Sequence, residues 1–94
     1  MRVRVWRYGV PAESREEFER EYGAGGSWAR LFARSEGFVD TVLYVDVASP
    51  GSYLTVDRFA SEAAWLEFLR DHHDAYVAVD RLLRHLAATQ EELV

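Results

Sequence analysis

The chain has 94 residues, no cysteine, 49% apolar and 29% charged residues and a formal charge of -5, the composition of one globular domain spanning residues 1–94. Without cysteine there are no disulfides, thiolate metal sites or thiol nucleophiles, and a pI near 5.1 argues against nucleic acid as a partner. The longest apolar run, Ala75 to Val79, is far short of the roughly 20 residues that span a bilayer, and the charge-interleaved start, Met1 to Arg7, is unlike a secretory leader, so no membrane partner and a cytoplasmic location are expected.

Arg2 to Tyr8 alternates, with Val3 and Val5 on one side and Arg4, Trp6 and Tyr8 on the other, which predicts a first strand. Gly9-Val10-Pro11 ends it, and Ser14-Arg15-Glu16-Glu17 has the capping-box pattern that opens a helix presenting Phe18 and Tyr22 one turn apart. Gly23-Ala24-Gly25-Gly26 stops that helix, because three glycines in four residues lose too much backbone entropy to stay helical. Ser27 is placed to cap a second short helix over Trp28 to Arg34.

Phe38 to Val47 reads as a second strand, with Val39, Leu43, Val45 and Val47 facing one way and Phe38, Val42 and Tyr44 the other. Large apolar groups on both faces call for a second layer beyond the chain's own helices. Ser49-Pro50-Gly51 supplies a turn into a third strand, Ser52 to Phe59, pairing with the second as an antiparallel hairpin. From a cap at Ser61 to about Leu86, Trp65, Leu69, His72, Tyr76, Val79, Leu83 and Leu86 recur at spacings of three and four, which predicts one long helix with a single apolar stripe. Only Gln90 to Val94 remains, enough for a stub of strand.

Several segments together are similar to the antibiotic biosynthesis monooxygenase-like family. They are Phe18-Glu19-Arg20-Glu21-Tyr22-Gly23, Trp28-Ala29-Arg30-Leu31-Phe32, Gly37-Phe38, Tyr53-Leu54-Thr55-Val56-Asp57-Arg58-Phe59, Ser61-Glu62-Ala63-Ala64-Trp65 and the helix from Phe68 to Tyr76. The resemblance implies an α+β, ferredoxin-like subunit with an antiparallel sheet and helices on one face. Two such subunits would pair sheet to sheet as a homodimeric α/β barrel, with a pocket between sheet and helices. Better-known members of that family oxidise phenolic polyketide intermediates to quinones with dioxygen and no flavin or metal, and a related branch cleaves haem. That branch depends on an asparagine, a tryptophan and a histidine; this chain has no asparagine, and Phe68 and Ala78 stand where the tryptophan and histidine would fall.

Among residues able to carry chemistry, His72 stands out because it lies on the apolar stripe between Leu69 and Tyr76, where a neutral imidazole can act as a general base. Its other role would be a packed histidine with one nitrogen satisfied. Asp71-His72-His73-Asp74 does not make a metal site, since adjacent helical residues diverge, and His85 lies about 20 Å further along the same helix. Trp65, Tyr76, Tyr44 and Trp28 are the aromatic candidates for holding a flat ligand, and Arg58 is the candidate for a phenolate or carboxylate. Arg4, Arg7 and Arg58 all fall within strands, where Asp40, Asp46 and Asp57 of neighbouring strands could pair with them.

No lysine is present, which removes Schiff-base chemistry, and neither a dinucleotide fingerprint nor a nucleophile elbow occurs. The expectation is a homodimer without cofactor that binds a small aromatic or polyketide-like molecule and oxidises it with dioxygen. The alternative is a non-catalytic ligand-binding or dimerisation module of the same fold.

Overall fold

The alternation of β1, Arg2–Gly9, puts Arg4, Trp6 and Tyr8 on one face and Val3, Val5 and Arg7 on the other, as expected for a strand at the centre of a sheet. The computed structural model describes all 94 residues. β2, Phe38–Val45, β3, Ser52–Phe59, and β4, Thr89–Glu92, complete a four-stranded sheet in the order β2-β3-β1-β4, with every neighbouring pair antiparallel. Three helices, α1 (Arg15–Tyr22), α2 (Ser27–Phe32) and α3 (Glu62–Leu83), cover one face. This is the α+β, ferredoxin-like arrangement. No helix is long and apolar enough to cross a membrane.

β3 shows the two faces most plainly. Tyr53, Thr55, Asp57 and Phe59 are buried under the helices, while Leu54, Val56 and Arg58 between them are only half-buried on the open face. The hairpin turn passes through Gly51, whose φ of 89° is the left-handed conformation that glycine adopts without steric cost.

The facing of β2 differs from strict alternation. A bulge between Phe38 and Asp40 inserts one residue, so Phe38 joins Thr41 and Leu43 under the helices, and Asp40, Val42 and Tyr44 share the open face. Val39, expected beside Leu43, is exposed at the bulge. The strand also stops at Val45, two residues early.

Two expected caps are absent for a local reason. A 3-10 turn over Ala12–Ser14 leads into α1, so Ser14 already has helical backbone angles and its side chain makes no cap bond. Ser27 is the first residue of α2, Gly26 stands at the cap, and the Ser27 hydroxyl donates to the Glu21 carboxylate. Gly26 passes so near the Glu21 carbonyl that a Cβ would lie 2.2 Å from its oxygen. Ser61 does cap α3, its Oγ accepting from the Ala64 amide at 3.0 Å.

β4 is the expected short strand, beginning one residue earlier than the sequence suggested. It pairs with β1 from Gly9 opposite Thr89 to Trp6 opposite Glu92, and the Leu93 amide donates to the Val5 carbonyl at 2.8 Å. All four of its residues are exposed. Backbone bonds to the β1 edge hold it, and those leave no trace in hydrophobic patterning.

The core falls into two clusters. Tyr8, Val10, Phe18, Tyr22, Tyr53, Leu83 and Leu86 form one, and Leu31, Phe32, Phe59, Ala64, Trp65 and Phe68 the other. α3 serves both and is broken at His72, where φ is -130° and ψ is 23°.

Candidate functional site

Register places three polar residues in one row across the sheet. Thr41 of β2 is opposite Asp57 of β3, which is opposite Arg4 of β1. Direct partners in an antiparallel sheet point to the same face, and all three are buried under the helices. Arg4 Nη1 lies 3.2 Å from Asp57 Oδ2, and the Thr41 hydroxyl donates to Asp57 Oδ1 at 2.8 Å. Arg4 and Asp57 are only 4% and 5% exposed, so this ion pair is almost wholly withdrawn from water.

The helices hold the arginine from above. Arg4 Nη2 donates to the Tyr76 hydroxyl at 3.1 Å, and its Cζ lies 4.2 Å from the centre of the Trp65 ring, a cation–π arrangement. Burial raises the Asp57 carboxyl above its usual value, with the Thr41 hydrogen bond and the Arg4 charge pulling it back.

This row forms one wall of a cavity between sheet and helices. Trp6 and Tyr8 of β1, Thr55 of β3, Tyr22 of α1, Trp28 and Phe32 of α2, Tyr76 and Asp80 of α3 and Gln90 of β4 complete the lining. Counting its open mouth and the solvent in front of it, the space is about 450 Å³. The walls are aromatic, with Trp28 edge-on to Tyr76 at 5.2 Å between ring centres. Trp6 Nε1, Trp28 Nε1 and Arg4 Nε are buried there without a partner at hydrogen-bond geometry.

Tyr8 and Tyr22 have hydroxyl pKa values raised chiefly by burial, so both remain neutral donors. At the mouth Asp80 is held by Arg84, one helical turn on. No three histidine, aspartate or glutamate side chains converge to hold a metal ion.

Of the residues singled out from the sequence, Trp28 and Tyr76 line the cavity, and Trp65 stands behind it against the Arg4 guanidinium. His72 is elsewhere. Its backbone breaks the helix, its ring packs 5.4 Å from that of Phe68, and it lines a separate polar depression with Arg34, Arg70 and His73. The stripe on which His72 was expected assumed an unbroken helical period, which the kink interrupts. Tyr44, 54% exposed, and Arg58 lie on the open face of the sheet, where Arg58 is bound by Asp40. Arg58 and Asp40 pair as expected, and the Arg58 guanidinium is thereby occupied.

Sequence reasoning named Arg4 and Asp57 among the strand arginines and aspartates able to pair, without matching them to each other or assigning them to the site. It missed Thr41, Thr55, Asp80 and Gln90. The available signal was the polar character of Arg4, Thr55 and Asp57 at alternating positions that also carry Tyr8, Tyr53 and Phe59.

A family model described as antibiotic biosynthesis monooxygenase matches residues 1–79. Among solved structures, the chain is similar to an asparagine-to-alanine variant of SnoaB, a cofactor-independent oxygenase from Streptomyces nogalater. The two are 26% identical with a TM-score of 0.71, over 97% of this chain and 86% of that one. A conserved protein from Methanosarcina mazei Go1 shares the fold at 19% identity and a TM-score of 0.68, over 97% of this chain and 87% of that one. MupZ from Pseudomonas fluorescens does so at 11% and 0.69, over 96% and 68%. No curated protein sequence matches the chain significantly.

Proposed function

Because the chain belongs to the antibiotic biosynthesis monooxygenase family, we propose that it binds a hydroxylated polycyclic aromatic in the cavity beside Arg4 and oxidises it with dioxygen, without flavin, haem or metal. The observation that carries this reading is the cavity itself. Its aromatic walls suit a flat ring, and its unpartnered donors on Trp6 and Arg4 suit the oxygens of a phenol or quinone. The likeness to a cofactor-independent oxygenase supports the reaction class.

The chemistry balances without a further reductant. A ring C–H ortho or para to a phenolic oxygen becomes C=O; one atom of dioxygen enters the ring and the other leaves as water, and the substrate supplies all four electrons. An electron-rich, ionised ring is the species able to reduce dioxygen, so the protein's task is to ionise the phenol and keep the reacting ring dry.

The working unit on this reading is a homodimer. Val5, Val42 and Val56 form a row across the open sheet face, flanked by Leu54 and Tyr44. An apolar sheet face of this extent asks for a second layer, and a second copy of the same face supplies one.

The test is oxygen uptake with anthrone-type and naphthol substrates, followed by mass spectrometry of the product formed under ¹⁸O-labelled dioxygen. One labelled oxygen in the quinone product, with one dioxygen consumed per turnover, is the expected result. Tight binding with no uptake across the panel would favour the ligand-binding module instead.

A further inference from the structure

The buried pair at the wall of the cavity has bonding capacity that its partners leave unused. Arg4 carries five N–H donors. One goes to Asp57 and one to the Tyr76 hydroxyl, and the buried Nε has no partner. Asp57 accepts one bond on each oxygen, from Arg4 and from Thr41, while each carboxylate oxygen has two lone pairs. Both side chains line the cavity.

We propose that Arg4 and Asp57 together ionise a phenol bound in the cavity: Asp57 takes the phenolic proton and Arg4 takes over the oxyanion left behind. The proposal rests on the oxygenase reading for its substrate class and adds to it the identity of the base. The phenolic O–H bond breaks, an O–H bond forms on an Asp57 oxygen, and the electron pair of the broken bond stays on the substrate oxygen.

Charge explains why this pair suits the task. Before the transfer, Arg4 is balanced by Asp57; afterwards it is balanced by the phenolate, and Asp57 is neutral. At no point does the dry site carry a net charge, the state that burial penalises most. Thr41 follows the change, because a hydroxyl that donates to a carboxylate can turn and accept from a carboxylic acid. Arg4 stays in place, held by the Trp65 ring and the Tyr76 hydroxyl.

The other titratable groups around the pair are Tyr8 from β1, Tyr22 from α1 and Tyr76 and Asp80 from α3, with Asp40 of β2 on the far side of the sheet. Burial keeps Tyr8 and Tyr22 protonated, and Arg84 engages Asp80 at the mouth. Burial also raises the Asp57 carboxyl, which makes it the better proton acceptor.

The probe is 2-hydroxyanthraquinone, whose neutral and ionised forms differ in colour. Bound to the wild-type protein, its ionisation midpoint should fall by at least about one pH unit, a tenfold gain in acidity. Calorimetry in buffers of different ionisation enthalpy, below the midpoint of the free dye, should count about zero protons released per dye bound. Asp57→Asn should raise that count to about one, because the proton then goes to the buffer. Arg4→Gln combined with Asp57→Asn removes both charges and should bind the dye with no lowering of its midpoint. An unshifted midpoint in the wild-type protein, a failure of the dye to bind, equal proton counts, or a lowered midpoint in the double variant would each overturn the proposal. The wild-type titration decides even where a variant does not fold. An ionised dye with no oxygen uptake from any substrate leaves this proposal standing and removes the oxygenase reading, and oxygen uptake beside a neutral bound dye does the reverse.

Discussion

Arg4 and Asp57 are direct cross-strand partners in β1 and β3, and their side chains meet under the helices with Nη1 3.2 Å from Oδ2. Removing one of them strands the other as a lone buried charge. Arg4→Met should therefore cost about 3–5 kcal/mol, and Arg4→Met with Asp57→Leu should recover most of that loss. Urea unfolding of both variants checks it, and a double variant as unstable as the single would deny that the charges compensate one another.

Asp57 also sets a pH dependence whose sign follows from its environment. Burial raises its carboxyl in the folded state. From the ordinary value of about 3.9 up to the folded value, the native protein therefore holds more protons than the unfolded chain, and the unfolding free energy falls as pH rises. Wild-type protein should gain stability relative to Asp57→Asn as pH is lowered from about 7 toward about 4, measured by parallel urea titrations. In the proposed reaction the same group acts in the opposite sense. Only the carboxylate accepts a proton, so kcat/KM should have an acid limb above the ordinary aspartate range, and Asp57→Asn should abolish it.

Val56 lies in the middle of the open face between Val42 and Val5. On the proposed sheet-to-sheet homodimer, Val56→Glu should yield monomers at micromolar concentration, because an unpaired carboxylate trapped between two sheets costs several kcal/mol. Light scattering reads the mass and circular dichroism shows whether the subunit still folds. A Val56→Glu protein that keeps the dimer mass would place the contact on another surface.

His72→Gln and Asp57→Asn make a contrasting pair. His72 packs on Phe68 outside the cavity, so His72→Gln should change turnover by less than about threefold and stability by no more than about 1 kcal/mol. Asp57→Asn should lower turnover by about 10² to 10⁴. Steady-state rates on one substrate decide between them, and the reverse ranking would assign the base to His72.

Most elements could be read from the sequence because their signals are local. The alternation in Arg2 to Tyr8, the Ser49-Pro50-Gly51 turn and the cap at Ser61 each depend on a few neighbouring residues. What escaped depends on backbone events that side-chain patterning does not record. The bulge at Phe38 and Asp40 reverses the facing of one aromatic, and the break at His72 takes that residue off a stripe whose other members still pack into the core. The site escaped for the same reason. Thr41, Asp57 and Arg4 become neighbours only through the register of three strands, and register is set by the turn and the bulge together.

The break in α3 also divides the molecule's cohesion. Its first half gives Ala64, Trp65 and Phe68 to one apolar cluster and its end gives Leu83 to the other, with Trp28 and Val79 packing against both. The residues of the cavity wall lie along that seam, where Trp28 and Tyr76 meet. This division predicts that one half opens at a free energy below that of global unfolding. Amide hydrogen exchange should accordingly sort α3 into two protection classes, one on each side of His72.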